Sequence, residues 1–248
     1  NLLVKLACLT IRDDKVDEVS REDQEFMILE SRFLEKPAFA VEQGRNAAKH
    51  MEQDSRKILD IALGLIYSYS DEQAERVQKL ESKIDRYEDE LGTYLVKLNN
   101  KDLSERDSHS VSIMLHCIGD FERISDHAVN IMESAQELHE KNISFSPQAR
   151  NELQVLVAVV SRIVDTAYQV FDRQDLNLVS DVEPLEEIVD ELSKELKRRH
   201  VNRLRLGECT IEMGFILTDL ITSLERIADH CSNISVCVTQ VRENLYDT

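Results

Sequence analysis

The chain has no tryptophan, three prolines and six glycines in 248 residues. So few turn formers leave too few tight turns for a β-sandwich, a barrel or a doubly wound sheet. Aromatics make up only 5%, so any core is built from small and medium aliphatic side chains. No uninterrupted apolar run approaches the ~18 residues needed to cross a bilayer. The five cysteines, Cys8, Cys117, Cys209, Cys231 and Cys237, form no CxxC and no zinc-ligand spacing. Cys117, Cys231 and Cys237 sit in helix-like apolar surroundings and read as small core residues of a reducing compartment. Positive charge is also short, with 30 Lys+Arg against 48 Asp+Glu and a net charge of −18. Such a surface repels a phosphate backbone and argues against nucleic acid as a partner. It suits cations.

What is present is helical periodicity. Charge-rich residues 12–38, punctuated by Pro37, read as a linker and short helix packing Phe26, Leu29 and Phe33. Apolar side chains then recur at helical intervals over 43–69, 71–99 and 107–139, with Asp71 placed as an N-cap. Lys141-Asn-Ile-Ser-Phe-Ser-Pro147 is a connection, after which helices are expected over 148–171, 181–206 and 208–245. The second half repeats the first. Ile58-Leu-Asp60-Ile-Ala-Leu matches Ile163-Val-Asp165-Thr-Ala-Tyr, and Leu80-Glu81-Ser-Lys-Ile-Asp85 matches Leu185-Glu186-Glu-Ile-Val-Asp190, both at an offset of 105. Glu122-Arg-Ile-Ser-Asp126-His127 matches Glu225-Arg-Ile-Ala-Asp229-His230 at an offset of 103. The spacing therefore predicts an all-α chain, a tandem duplication of two antiparallel three-helix bundles. The expected divisions are 1–39, a membrane-proximal linker, 40–143, the first bundle, and 144–248, the second.

Each half carries two Glu-x-x-x-Asp pairs, Glu81/Asp85 with Glu122/Asp126 and Glu186/Asp190 with Glu225/Asp229. Residues four apart share a helix face, and like charges there are mildly destabilising. In an antiparallel hairpin, residues equidistant from the turn lie level. Both pairings of the first quartet centre on 103.5, and both of the second on 207.5, beside Gly207. Four carboxylates are thus expected to come level in each half, where they repel unless a cation or protons intervene. Carboxylate oxygens suit hard divalent or trivalent cations, including iron in bundle sites. The bland alternative makes all eight boundary charges bridged to Arg76, Arg86, Arg123 or Arg226. His127 and His230 point about 100° from the preceding Asp, so they hydrogen-bond locally or face the other half. Asn130 and Asn233 return to the Asp face as candidate orienting donors. Asp60 and Asp165 either cap the cluster or are solvated.

The two Glu-Arg-Ile-x-Asp-His segments, continuing to Asn130-Ile131 and Asn233-Ile234, resemble the third-helix signature of PhoU domains, and the duplication agrees over about residues 40–245. The resemblance implies phosphate homeostasis, a cytoplasmic position at the membrane, and multinuclear metal sites, often iron, on the motif pairs. Ser31-Arg-Phe-Leu-Glu-Lys-Pro37 to Gln43-Gly-Arg is similar to the junction at which a type II sodium/phosphate cotransporter continues into a C-terminal PhoU region. With the apolar Leu2–Ile11 opening and no initiator Met, the preferred expectation is a cytosolic transporter tail. Its partner is a membrane transporter domain in the same polypeptide, and a homo-oligomer is open. The alternative is a free-standing PhoU-type negative regulator acting with an ABC phosphate transporter and a two-component sensor. A di-iron carboxylate enzyme fits poorly: such sites use Glu-x-x-His, whereas here the His follows at five. No activated nucleophile or Gly-rich phosphate loop stands out. Cys231-Ser232, where the first repeat has Ala128-Val129, makes the second site's surroundings more polar.

Overall fold

The structure, a computed structural model, describes residues 25–243. Leu2–Ile11 lies outside these residues. Two 3-10 turns, Met27–Leu29 and Ser31–Glu35, lead into α1 (Pro37–Leu65), α2 (Asp71–Asn99) and α3 (Glu105–Glu140). The second half comprises α4 (Pro147–Arg173), a single helical turn (Leu176–Val179), α5 (Val182–Arg205) and α6 (Ile211–Glu243). Among the described residues there is no strand.

Local chemistry sets most helix ends. Pro37, expected as punctuation ahead of a bundle at 40, instead opens α1, where its fixed φ and missing N–H carry no penalty. Ser104 and Ser146 cap α3 and α4, each hydroxyl accepting from a backbone N–H at 3.2 Å. Asp71 is the first residue of α2 rather than its cap; Ser70 holds that position. Gly207 has φ +71°, and the N–H groups of Gly207 and Glu208 reach back to Leu204 O (3.1 Å) and Arg203 O (2.9 Å). That pair of bonds closes α5 with a left-handed residue that any Cβ would strain. Asn142, with φ 52°, does the same after α3.

In each half the three helices pack on one another, and the halves join chiefly through α3 on α6. The reason lies in the burial pattern. α2 buries one stripe, Val77, Leu80, Ile84, Tyr87, Leu91 and Leu95, whereas α3 buries side chains on adjoining faces, including Ile113, Met114, Cys117, Ile118 and Phe121. A helix apolar around more of its girth needs partners on two sides. α4 has an 18-residue stretch of mean hydropathy 1.3, and its apolar face, including Leu153, Leu156, Val160 and Ile163, is fully buried core. Before α1, Phe26 packs on Tyr87 with ring centres 4.6 Å apart.

The seam between halves is partly polar. Ser55 Oγ donates to Phe121 O (3.0 Å) and lies 2.8 Å from Tyr168 Oη. Lys49 pairs with Asp172 (2.8 Å), and next to them Glu52 is buried with its Oε2 unpartnered among the described residues. Burial, then the Asp172 charge, raises its pKa to about 8. One end of the second bundle is polar too. Ala47, Leu95, Leu98 and Val111 are buried in the first half; their counterparts at the two repeat offsets are Glu152, His200, Arg203 and Gly214. Arg203 Nη1 meets Glu152 Oε2 at 2.8 Å and Arg199 Nη1 meets Oε1 at 3.2 Å. His200 fits because residue 214 is glycine: a Cβ there would lie 2.5 Å from His200 Nε2.

Candidate metal centre

α2 and α3 bring three of the first quartet together. Glu81, Asp85 and Asp126 each offer a carboxylate oxygen, and these lie within 4.8 Å of one another. Their titration reflects the crowding. Glu81 is raised by burial and by Asp85 and Asp126; Asp85 is raised by burial and by Asp126 and Asp89. Glu122 stands outside the trio yet feels it: burial, Asp126, Asp85 and Glu88 raise it to about 7 against the opposing pull of Arg123. Arg123 is the cation at the edge, 3.0 Å from Asp126 and 3.3 Å from Glu122. Asp89 and Glu88 were not among the expected residues. Asp89 was legible as the next member of the four-residue series 81, 85, 89.

The second quartet does not assemble in the same way. Glu186 still feels burial, Asp190 and Asp229, but each of the other three carboxylates has a cation of its own. Lys197 meets Glu225 at 2.6 Å, Lys194 meets Asp190 at 3.2 Å and Arg226 meets Asp229 at 3.2 Å. At the repeat offset, Lys194 and Lys197 stand where the first half has Asp89 and Gly92. Among the described residues, the trio in the first half is the only group of three metal-ligating side chains gathered this closely.

His127 and His230 face each other across the halves, ring centres 5.8 Å apart. His230 Nδ1 lies 2.9 Å from Asp120 Oδ1. Asn233 donates to the same Asp120 oxygen (3.4 Å) and so serves the seam rather than Asp229; Asn130 lines a cleft with His127 and Asp219. Asp60 and Asp165 do not cap the cluster. Both bind Arg56, Asp165 at 2.7 Å, tying α1 to α4. Cys117, Cys231 and Cys237 are buried free thiols.

Fold and site together define a duplicated, all-helical protein with a carboxylate centre on the α2–α3 hairpin of one half. The model of the PhoU domain family matches residues 48–135 and 153–238, one match in each half. The chain belongs to that family. It is 30% identical over 115 residues to the phosphate-specific transport system accessory protein PhoU homolog 1 of Thermotoga maritima, covering 46% of this chain and 49% of that protein. The chain thus matches about half the length of that relative. The corresponding homolog of Deinococcus radiodurans is 22% identical over 77% of this chain and 88% of its own. The fold matches the crystal structure of PhoU from Pseudomonas aeruginosa with a TM-score of 0.76 at 23% identity, over 83% of this chain and 98% of that one. PhoU from Streptococcus pneumoniae superposes with a TM-score of 0.75 at 16% identity, over 84% and 98%. These comparisons correct one expectation. The relatives are free-standing accessory proteins whose chains the match nearly fills in the solved structures, so a transporter domain in the same polypeptide is withdrawn as partner.

Proposed function

We propose that this chain is a free-standing PhoU-type accessory protein of phosphate transport, working by contact with a separate transporter and a two-component sensor on the cytoplasmic side. The observation that carries this reading is the PhoU match in both halves, with curated relatives named as phosphate-specific transport accessory proteins. It acts as a binding protein and not as a catalyst. In a host deleted for its own PhoU, expression of this chain restores phosphate-dependent repression of uptake. A folded, expressed chain that leaves uptake deregulated overturns the reading.

Within that role, Glu81, Asp85 and Asp126 would hold a divalent or trivalent cation such as iron, with Glu122 and Asp89 at its margin. The donor set fits: three carboxylate oxygens within 4.8 Å, each hard, with pKa values raised for two of the three by burial and by the neighbouring carboxylates. A bound cation supplies the missing positive charge. The side chains then tie α2 to α3 at a fixed height. The same donors in the second half, Glu186, Asp190, Glu225 and Asp229, would give the weaker site. The check is elemental analysis of purified protein. Asp85→Asn with Asp126→Asn removes most of the bound metal, and unchanged content would make these residues boundary charges only.

A further inference from the structure

The tip of the α5–α6 hairpin is unusual in two ways that the fold does not require. Leu206, Ile211, Phe215 and Val201 are 63%, 71%, 68% and 55% exposed there. Ile211 and Phe215 are one turn apart on one face of α6. The duplication supplies an internal control. The corresponding first-half positions are Lys101, Ser108, Ser112 and Val96, so the same turn closes with polar side chains at three of the four. The apolar residues therefore serve something outside the chain.

Charge is the second feature. Residues 194–206 hold six Lys/Arg and one Glu, a net +5, in a chain whose remainder sums to −23. The equivalent window, 89–101, is neutral. Lys194, Lys197 and Arg203 are committed to carboxylates of the bundle. Arg199 is shared between Glu195 and the buried Glu152 (3.2 Å), whereas Arg198, paired with Glu195, is 70% exposed, and Arg205 is exposed without an ion pair among the described residues. Glu212, beside Ile211, is neutralised by Lys141 (2.6 Å); Glu208 is the carboxylate left on the turn. A strongly acidic body with one basic end is turned by an anionic surface until that end leads. The apolar side chains stand outward on a turn between two helices, a shape that enters a fluid acyl boundary without needing a matching pocket.

We propose that this tip docks on an anionic lipid bilayer, Leu206, Ile211 and Phe215 entering the headgroup boundary while Arg198 and Arg205 meet lipid phosphates. The test is flotation of the purified full chain with phosphatidylglycerol–phosphatidylcholine vesicles and with phosphatidylcholine vesicles. Protein floats with the anionic vesicles, and added salt reduces the bound fraction. Ile211→Ser with Phe215→Ser installs the first half's own residues and lowers binding about tenfold or more. Leu206→Ser, at an exposed turn position, keeps the test open if the double variant misfolds, and it lowers binding in the same direction without changing the charge. Failure of the wild-type chain to float, or equal flotation of folded variants, overturns the proposal. So does loss of self-association in the variants, seen by sedimentation, without any vesicle binding, which would make the tip an interface between copies.

Discussion

The α2–α3 and α5–α6 hairpins begin from the same Glu-x-x-x-Asp pattern and end in different electrostatic states. In the first, carboxylates face carboxylates with Arg123 at the rim. In the second, lysines one and two turns further along α5 take Asp190 and Glu225 out of the cluster. Two positions make much of the difference, 89 and 92 against 194 and 197. Duplication preserved the scaffold, and substitution on the exposed flank of one helix decided which copy kept a concentrated negative field.

The strongest way to break that comparison is to exchange those positions. Asp89→Lys with Gly92→Lys brings two cations to the first site; a Cβ at 92 meets only Ile118 Cδ1, at an ordinary 3.6 Å. Metal affinity of the first half should fall about a hundredfold or more, as calorimetric titration will show. Lys194→Asp with Lys197→Ala should raise binding in the second half. The next largest effect concerns the buried pair. Arg203→Leu alone leaves Glu152 to Arg199 and should cost about 3 kcal/mol in denaturant unfolding. Adding Glu152→Ala, so that both positions match Ala47 and Leu98, should recover most of that loss.

Glu52 sharpens the contrast further, because its counterpart is Val157. Its folded pKa of about 8 lies above the unfolded value of 4.5, so the folded state favours the neutral acid. Its contribution is fully present below about pH 4.5 and is lost as pH rises toward 8. Glu52→Gln should therefore flatten the stability profile across that window and add about 2 kcal/mol at pH 8.5, read by thermal or denaturant unfolding. The smallest effect is expected at Arg56. Its removal frees Asp60 and Asp165 and should cost about 1 kcal/mol, less at high salt, because both carboxylates are largely exposed.

Much of the fold was legible because it rests on local signals. The offsets of 105 and 103 located both bundles, and the midpoint 207.5 fell on the glycine that closes α5. The approach of Glu81, Asp85 and Asp126 followed from hairpin register. Its limits are physical. Register sets height but not the reach of a flexible lysine, so the capture of Glu225 by Lys197 was hidden, although Lys194 four residues after Asp190 was a visible hint. Packing of one half on the other is not fixed by any within-half spacing. Hence the burial of Glu52, the sharing of Arg56 and the turn of Asn233 toward Asp120 became visible only in three dimensions. Pro37 was misplaced because proline signals either a break or a helix start.

His200 and Gly214 limit how freely the two halves can exchange segments. With an imidazole beside residue 214, a side chain can return there only if His200 moves, since even a methyl would sit 2.5 Å from Nε2. Placing the first half's leucine at 200 alone would open a void against the glycine. Each position thus holds the other in place, and the two copies have ceased to be interchangeable parts. A chimera that grafts the start of α3, with Val111, in place of the start of α6 should be less stable unless Leu95 travels with it to position 200. The duplication remains readable in outline, but its halves are no longer packed from the same parts.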